Sequence, residues 1–249
     1  MKNSLNQNCE DCSSKKRSIF CHVKDGDFYP LMKQKNSFAL KKGRALICIG
    51  DKLNNLFCVK KGKLKFIKIS SDGKENIINI AKPGDIIGHE IIANMQSKIE
   101  YSVVALEDAE ICSIDRKIFF EIFSISPSVR ISIIEKLSNQ LHAVESRILS
   151  LKENTVKERL IKLLLSMQIE FGSQDSGWYK IDLRLTRMDL AMIVGSSCET
   201  IIRTIGELER ENFIKYVGKT LYISEHHKHN QSLLSAASAN SINTSFTIQ

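Results

Sequence analysis

Between Val129 and Leu151 apolar residues recur at Ile134, Leu137, Leu141, Val144, Ile148 and Leu151, at intervals of 3, 4, 3, 4 and 3. That alternation is the seam of a coiled coil. Glu135, Lys136, Gln140, Glu145 and Arg147 fill the other faces with groups that want water. A core helix carries a wider apolar stripe; a narrow one needs a partner. The six residues are therefore expected to be a homodimer interface on a dimerisation helix over 126–152.

Ahead of that helix the period changes. Residues 46–49 and 56–59 are short apolar runs, and 63–70 alternate apolar residues with an exposed lysine face. Ser71-Asp72-Gly73-Lys74 has the residues of a hairpin turn, because Asp-Gly supplies the positive φ that tight turns need. Pro83-Gly84-Asp85 is a second turn, before Ile86 and Ile87. Residues 101–106 and 110–114 close the series, and 116–123 begin a helix. Many short strands at regular spacing argue for a sandwich or barrel over 29–125.

Beyond the seam, Thr155 and Glu158 form a capping box that opens a helix through Leu160, Leu163, Leu164 and Met167. A domain boundary is expected at 153–155. Residues 172–177 read as a loop, 179–183 as a strand, 187–194 as a helix and 197–212 as a second helix after a turn at Gly195. Residues 213–217 and 220–223 form a hairpin across Gly218-Lys219. The tail, 225–249, is rich in Ser, Asn and Ala and is expected to be disordered.

The helix pair at 187–212 carries the sharpest chemistry. Thr186 with Asp189 caps the first helix, Ala191 is small where two helices cross, and Ser196 with Glu199 is expected to cap the second. On that second helix Glu199 and Arg203 stand four apart near the N-terminus. In a major groove, arginine can fork onto guanine O6 and N7, and glutamate can accept from cytosine N4. Glu199 could instead complete the capping box, and Arg203 could pair with Glu199 or Glu207. Ser197, Cys198, Thr200 and Ile202 share the same stretch, and Thr186, Arg187 and Lys219 are suited to phosphates. The partner would be double-stranded DNA with a palindromic operator.

Composition narrows the rest. With 249 residues, 43% hydrophobic and 26% charged, the chain can hold two ordinary globular domains. No apolar run approaches the roughly 18 residues of a membrane span, and the N-terminus lacks a signal-peptide core, so a cytoplasmic protein with no membrane partner is expected. The net charge of +8 suits an anionic partner but does not locate it. Residues 1–127 carry 21 Lys/Arg against 15 Asp/Glu, and residues 128–249 carry 15 against 13. No Ser-His-Asp ordering, Walker loop or HExxH is present, so no enzymatic function is expected. Seven cysteines in a reducing compartment read as ligands or buried thiols rather than disulfides.

The run Leu-Thr-Arg-x-Asp-Leu-Ala-x-x-Val-Gly-x-x-x-Glu-Thr-x-x-Arg from Leu185 to Arg203, with Gly218-Lys219-Thr220, resembles the winged helix-turn-helix of the CRP/FNR family of bacterial transcription regulators. Val59-Lys60-Lys61-Gly62 and Pro83-Gly84-Asp85-Ile86-Ile87-Gly88 resemble that family's cyclic-nucleotide-type β-roll. The resemblance covers roughly 9–224 and implies an α+β chain. An N-terminal arm (1–28) would precede the β-roll or jelly-roll sensor (29–125), the dimerisation helix (126–152) and the winged helix-turn-helix (153–224). It also implies that Glu199 and Arg203 read a GA-containing half-site core, and that RNA polymerase is a partner if the chain activates. Cys198 and Ile202 depart from the arginine of the cyclic-AMP receptor branch and the serine of the FNR branch, which leaves the outer bases open.

Cyclic nucleotide is not the expected effector. Where the family's nucleotide binders hold the phosphate with an Arg-Ser pair, this chain has Ile99-Glu100, and His89 stands where many place a ribose-contacting glutamate. The cysteines offer another chemistry. Cys9, Cys12 and Cys21 lie in the arm and Cys112 in the last strand of the roll, and four thiolates can hold an iron–sulfur cluster or a tetrahedral zinc. Lys15, Lys16 and Arg17 would offset the negative charge. The oxygen-sensing FNR branch is similar, with three N-terminal cysteines and one in the aligned strand, which implies a 4Fe–4S cluster responding to oxygen, nitric oxide or redox state. The gap before Cys21 is eight residues where FNR has five. Zinc, redox thiols or another small effector remain alternatives. Cys48, Cys58 and Cys198 are expected to be buried thiols.

Overall fold

A computed structural model of the chain describes residues 12, 14–20, 33–92 and 98–225. Cys9, Cys21 and the tail from 226 onward lie outside the described residues. Two compact units divide between Ser138 and Asn139, inside the long helix rather than at 153–155, although a break between two helices does fall there.

The first unit holds β1 (Asn36–Leu40), β2 (Ala45–Ile47), β3 (Asn55–Lys61), β4 (Leu64–Ile69), β5 (Glu75–Ala81), β6 (Ile86–Ile87), β7 (Ser102–Ala105) and β8 (Ala109–Asp115). They form two four-stranded antiparallel sheets, ordered β1-β8-β3-β6 and β2-β7-β4-β5. Side chains alternate between the two faces of a strand, and here each face of the first sheet has its own apolar layer. Val59, Ile87 and Ile111 meet Leu64, Phe66, Val103 and Ala105 of the second sheet inside the roll. Leu56, Ile86 and Ile114 point the other way, onto Ile19 and Phe20 of the N-terminal segment and onto α1 (Arg116–Ile125) and α2 (Pro127–Glu153) through Phe119, Ile122, Val129 and Ile133.

Asp115 caps α1 by accepting from the Lys117 amide at 2.8 Å. Proline at the first position of α2 starts that helix without losing a hydrogen bond. Only Val129 and Ile133 of α2 are buried. The six seam residues are 42–63% exposed in the single chain, with Leu137 and Ile134 the extremes.

The second unit continues with α3 (Val156–Phe171), β9 (Gly172–Asp175), β10 (Trp178–Ile181), α4 (Arg187–Val194), α5 (Cys198–Arg210), β11 (Ile214–Val217) and β12 (Thr220–Ser224). Both halves of the Thr155–Glu158 capping box are present. The sheet order is β11-β12-β10-β9. Part of the expected loop at 172–177 is therefore a strand. β9 pairs with β10 through its backbone while Ser173, Gln174 and Asp175 stay exposed, so no apolar alternation announced it.

Candidate nucleic-acid interface and cysteine site

α5 buries Ile201, Thr204, Ile205 and Leu208 and leaves Glu199, Ile202, Arg203 and Arg210 exposed. The turn before it is built from two helix ends. Gly195, at φ 71° and ψ 55°, takes the left-handed conformation that glycine tolerates, and both its amide and that of Ser196 donate to the Ala191 carbonyl (2.9 and 3.0 Å). Ser196 thus belongs to the close of α4. The cap of α5 is Ser197, whose Oγ accepts from the Thr200 amide at 3.2 Å, and not the expected Ser196–Glu199 pair. The Thr200 hydroxyl also bonds Ser197 Oγ at 2.9 Å.

This register releases Glu199 from capping. Neither Glu199 nor Arg203 makes a hydrogen bond or ion pair among the described residues, and Glu207 lies 3.9 Å from Lys157 instead. A carboxylate and a guanidinium four residues apart on an exposed helix face are available for outside acceptors and donors. Cys198, half-buried, precedes them, and Ile202 between them is 55% exposed.

Two arginines hold the turn from behind. Arg147 of α2 donates to the Ile193 carbonyl at 2.8 Å, and Arg159 of α3 donates to Val194 at 2.9 Å and to Gly195 at 3.4 Å. Cations at three successive carbonyls oppose the partial negative charge of the α4 C-terminus. Burial lowers the Arg147 value from that of a free guanidinium. Thr186 Oγ1 accepts from the Asp189 amide at 3.0 Å and donates to its carboxylate at 2.7 Å, so its hydroxyl is engaged in the α4 cap. Arg187 stacks over the Tyr216 ring, 4.0 Å to the centroid, and Lys219 is exposed at the hairpin tip.

In the first unit, Cys12 and Cys112 line one cavity of about 40 Å³. Cys58 lines it too, only half-buried, which the buried-thiol expectation missed. Its apolar neighbours suggested a core position, while its cross-strand register to Cys112 is visible only in the folded sheet. Cys48 is likewise not buried but exposed, at the end of β2. Lys35 and Lys60 line the cavity with the thiols. Lys60, whose side chain is 14% exposed, pairs with Glu110 at 2.9 Å. That bond raises the ammonium above its ordinary value, against the effect of burial, and Cys112 and Cys12 add to the rise. The cavity roof is the N-terminal segment, where Ser14 Oγ donates to the Lys60 carbonyl at 2.5 Å.

A cyclic nucleotide-binding domain matches residues 38–126, and a Crp-like helix-turn-helix domain matches 158–228. Electron transport regulator A of Shewanella oneidensis is 30% identical over 191 residues, 77% of this chain and 76% of that one. The chain belongs to the CRP/FNR family of transcription regulators. The fumarate and nitrate reduction regulatory protein of Yersinia pestis is 26% identical over 218 residues, 86% of each chain. Among solved structures, FixK2 of Bradyrhizobium japonicum shares the fold with a TM-score of 0.68 at 19% identity, covering 78% of this chain and 94% of its own.

Residues 99–100 stand where the resemblance places the phosphate-holding pair of the family's nucleotide binders. Here Ile99 is buried in the apolar core, and Glu100 is turned outward onto Lys68 at 2.8 Å, which holds its carboxyl below the usual range. Nearby, Tyr101 Oη donates to Glu90 Oε1 at 2.6 Å, and burial with that carboxylate pushes the phenol far up. His89 lies in the same short 3-10 turn as Glu90. No helix among the described residues is long and apolar enough to cross a membrane.

Proposed function

We propose that the chain is a homodimeric regulator that reads a palindromic operator through Glu199 and Arg203 and is controlled by an iron–sulfur cluster held by cysteines of the arm and the β-roll. The observation that carries the DNA half is the exposed, unpaired Glu199–Arg203 pair on α5, released from capping by Ser197. Arg203→Ala should weaken operator binding by about 1–3 kcal/mol and relax one position of the half-site. Unchanged sequence-specific binding would favour a module acting through protein contacts alone.

Dimerisation brings two α5 helices to half-sites about one helical turn apart. The six seam residues of α2, all exposed in the single chain, support pairing with a second copy. Cluster-free protein should sediment as a dimer at micromolar concentration, because no charge interrupts the seam; a monomer would contradict this.

The cluster set is Cys9, Cys12, Cys21 and Cys112. Cys12 and Cys112 fit a thiolate site because they line one cavity, and Lys35 and Lys60 are among the residues around it. When bound, the cluster would supply a centre whose oxidation state or integrity responds to oxygen or nitric oxide. The names of the relatives, among them an anaerobic regulatory protein of Pasteurella multocida, favour that class of signal.

The chain's own residues offer a route from cavity to seam. A cavity of about 40 Å³ has room for little more than a water, so a larger occupant requires the arm to lift. Arg17 of the arm lies against Gly84, where a Cβ would meet Arg17 Cβ at 2.6 Å. Next to it, Asp85 accepts from Lys136 of α2 at 2.8 Å. Further along α2, Arg147 holds the turn that sets α5. The decisive measurement is an absorbance spectrum of anaerobically purified protein with iron and sulfide assayed. Stoichiometric zinc without sulfide, or bare thiols, would replace the cluster with the corresponding alternative.

A further inference from the structure

Cys58 and Cys112 face each other directly across the antiparallel β3–β8 pair. Directly opposed residues share one face of a sheet, so both side chains lie on the side that carries Leu56 and Ile114 toward the N-terminal segment. Both line the cavity with Cys12, and Lys60, two residues along β3, lines it as well. Three cysteines from two strands and the arm therefore border one small space, with Lys35 and Lys60 among its other lining residues.

The spacing tells what this pair can do. Val59 gives its amide to the Asp85 carbonyl at 2.9 Å and accepts from the Gly84 amide at 2.8 Å, so its backbone groups point away from β8. By the alternation of an antiparallel ladder, those of Cys58 point toward β8 and make Cys58–Cys112 a hydrogen-bonded pair. The Cβ atoms of such a pair stand about 5.5 Å apart, against the roughly 3.8 Å that a disulfide needs. Bridging the two sulfurs directly would strain the ladder. Two thiolates held apart on a rigid sheet suit a centre that lies between them.

We infer that Cys58 is a cluster ligand: the sheet supplies two thiolates, Cys58 and Cys112, and the arm supplies the other two, with Cys12 one of them. This rests on the iron–sulfur reading above and revises its ligand set, leaving one of Cys9 and Cys21 outside the cluster. It also ties the centre directly to the β3–β8 ladder through two of its ligands.

The test is anaerobic reconstitution of the full chain with iron and sulfide, comparing wild type, Cys58→Ser, Cys58→Ala and Cys48→Ser. Both Cys58 variants should lose most of the iron, sulfide and visible absorbance, while Cys48→Ser retains them. Full iron and sulfide with a wild-type spectrum in either Cys58 variant would overturn the assignment and leave the cluster itself standing. Should the variants fail to fold, alkylation of wild type followed by mass spectrometry decides the matter. Cys58 should be protected in the loaded protein and labelled after chelation, with one of Cys9 and Cys21 labelled in both. Equal labelling of Cys58 before and after chelation would overturn it. Wild type that takes up no iron or sulfide would sink the cluster reading and this assignment together.

Discussion

From Pro127 to Ser138 the long helix α2 is fastened to the first unit by the buried Val129 and Ile133, by Arg130 donating to the Phe123 carbonyl at 2.6 Å, and by Lys136 on Asp85. From Asn139 to Glu153 the same helix buries no side chain and offers Leu141, Val144, Ile148 and Leu151 to solvent. Within the second unit its Arg147 donates to the Ile193 carbonyl, and Leu151 lies near Gly195. Fully burying one Leu, Ile or Val is worth about 1.5–3 kcal/mol, so the bare stripe outweighs a single hydrogen bond. The first half is packed within one chain, and the second half leaves its apolar stripe open for the partner helix proposed above.

The largest effect should come from spoiling that second half. Leu141→Glu removes two leucines from a paired seam, about 4 kcal/mol of burial or roughly a thousandfold in association. Sedimentation velocity should then find monomer at micromolar concentration, with operator binding lost. Next comes the first half. Ile133→Ala should destabilise the N-terminal unit by about 2–4 kcal/mol in denaturant unfolding and leave the dimer seam intact, since a buried aliphatic leaves a cavity behind.

Arg147→Ala tests the hydrogen bond to Ile193. It should cost about 1 kcal/mol of stability in the second unit, because a partly solvated charged hydrogen bond is lost, and weaken operator binding without dissociating the dimer. The smallest effect is at the cap just beyond α2. The Thr155 amide and hydroxyl hold the Glu158 carboxyl below its ordinary value. A depressed carboxyl contributes stability above its unfolded value of 4.5 and loses it as pH falls through the folded value. Thermal melts should therefore show a slightly shallower loss below pH 4.5 in Glu158→Gln than in wild type. An identical pH profile would remove Glu158 from the account of that helix start.

Both halves of α2 differ in legibility too. The exposed apolar stripe is readable because its period is local and unbroken, whereas the fastening of Val129 and Ile133 depends on sheet residues far away in the chain. The same divide runs through the sites. The Thr186–Asp189 and Thr155–Glu158 caps could be read directly, since each needs only four consecutive residues. The α5 cap was misread by one position, because Ser196 and Ser197 offer the same hydroxyl and Glu199 mimics a capping box. The hydrogen bond from the Ser196 amide to Ala191 decides between them. Arg187, suited by charge to a phosphate, is stacked on an aromatic ring from the wing, a contact no local pattern encodes. Cys58 was hidden for the same reason, since its meaning depends on which residue lies opposite it across the ladder.

The unfinished half of α2 has a consequence for dosage. In the proposed dimer two chains form one reader, so at expression levels where most copies are still single the number of readers would rise as the square of the number of chains. Halving synthesis in that regime leaves about a quarter of them. In the proposed regulator, supply of the polypeptide would therefore tune the response as sharply as the signal at the cysteines.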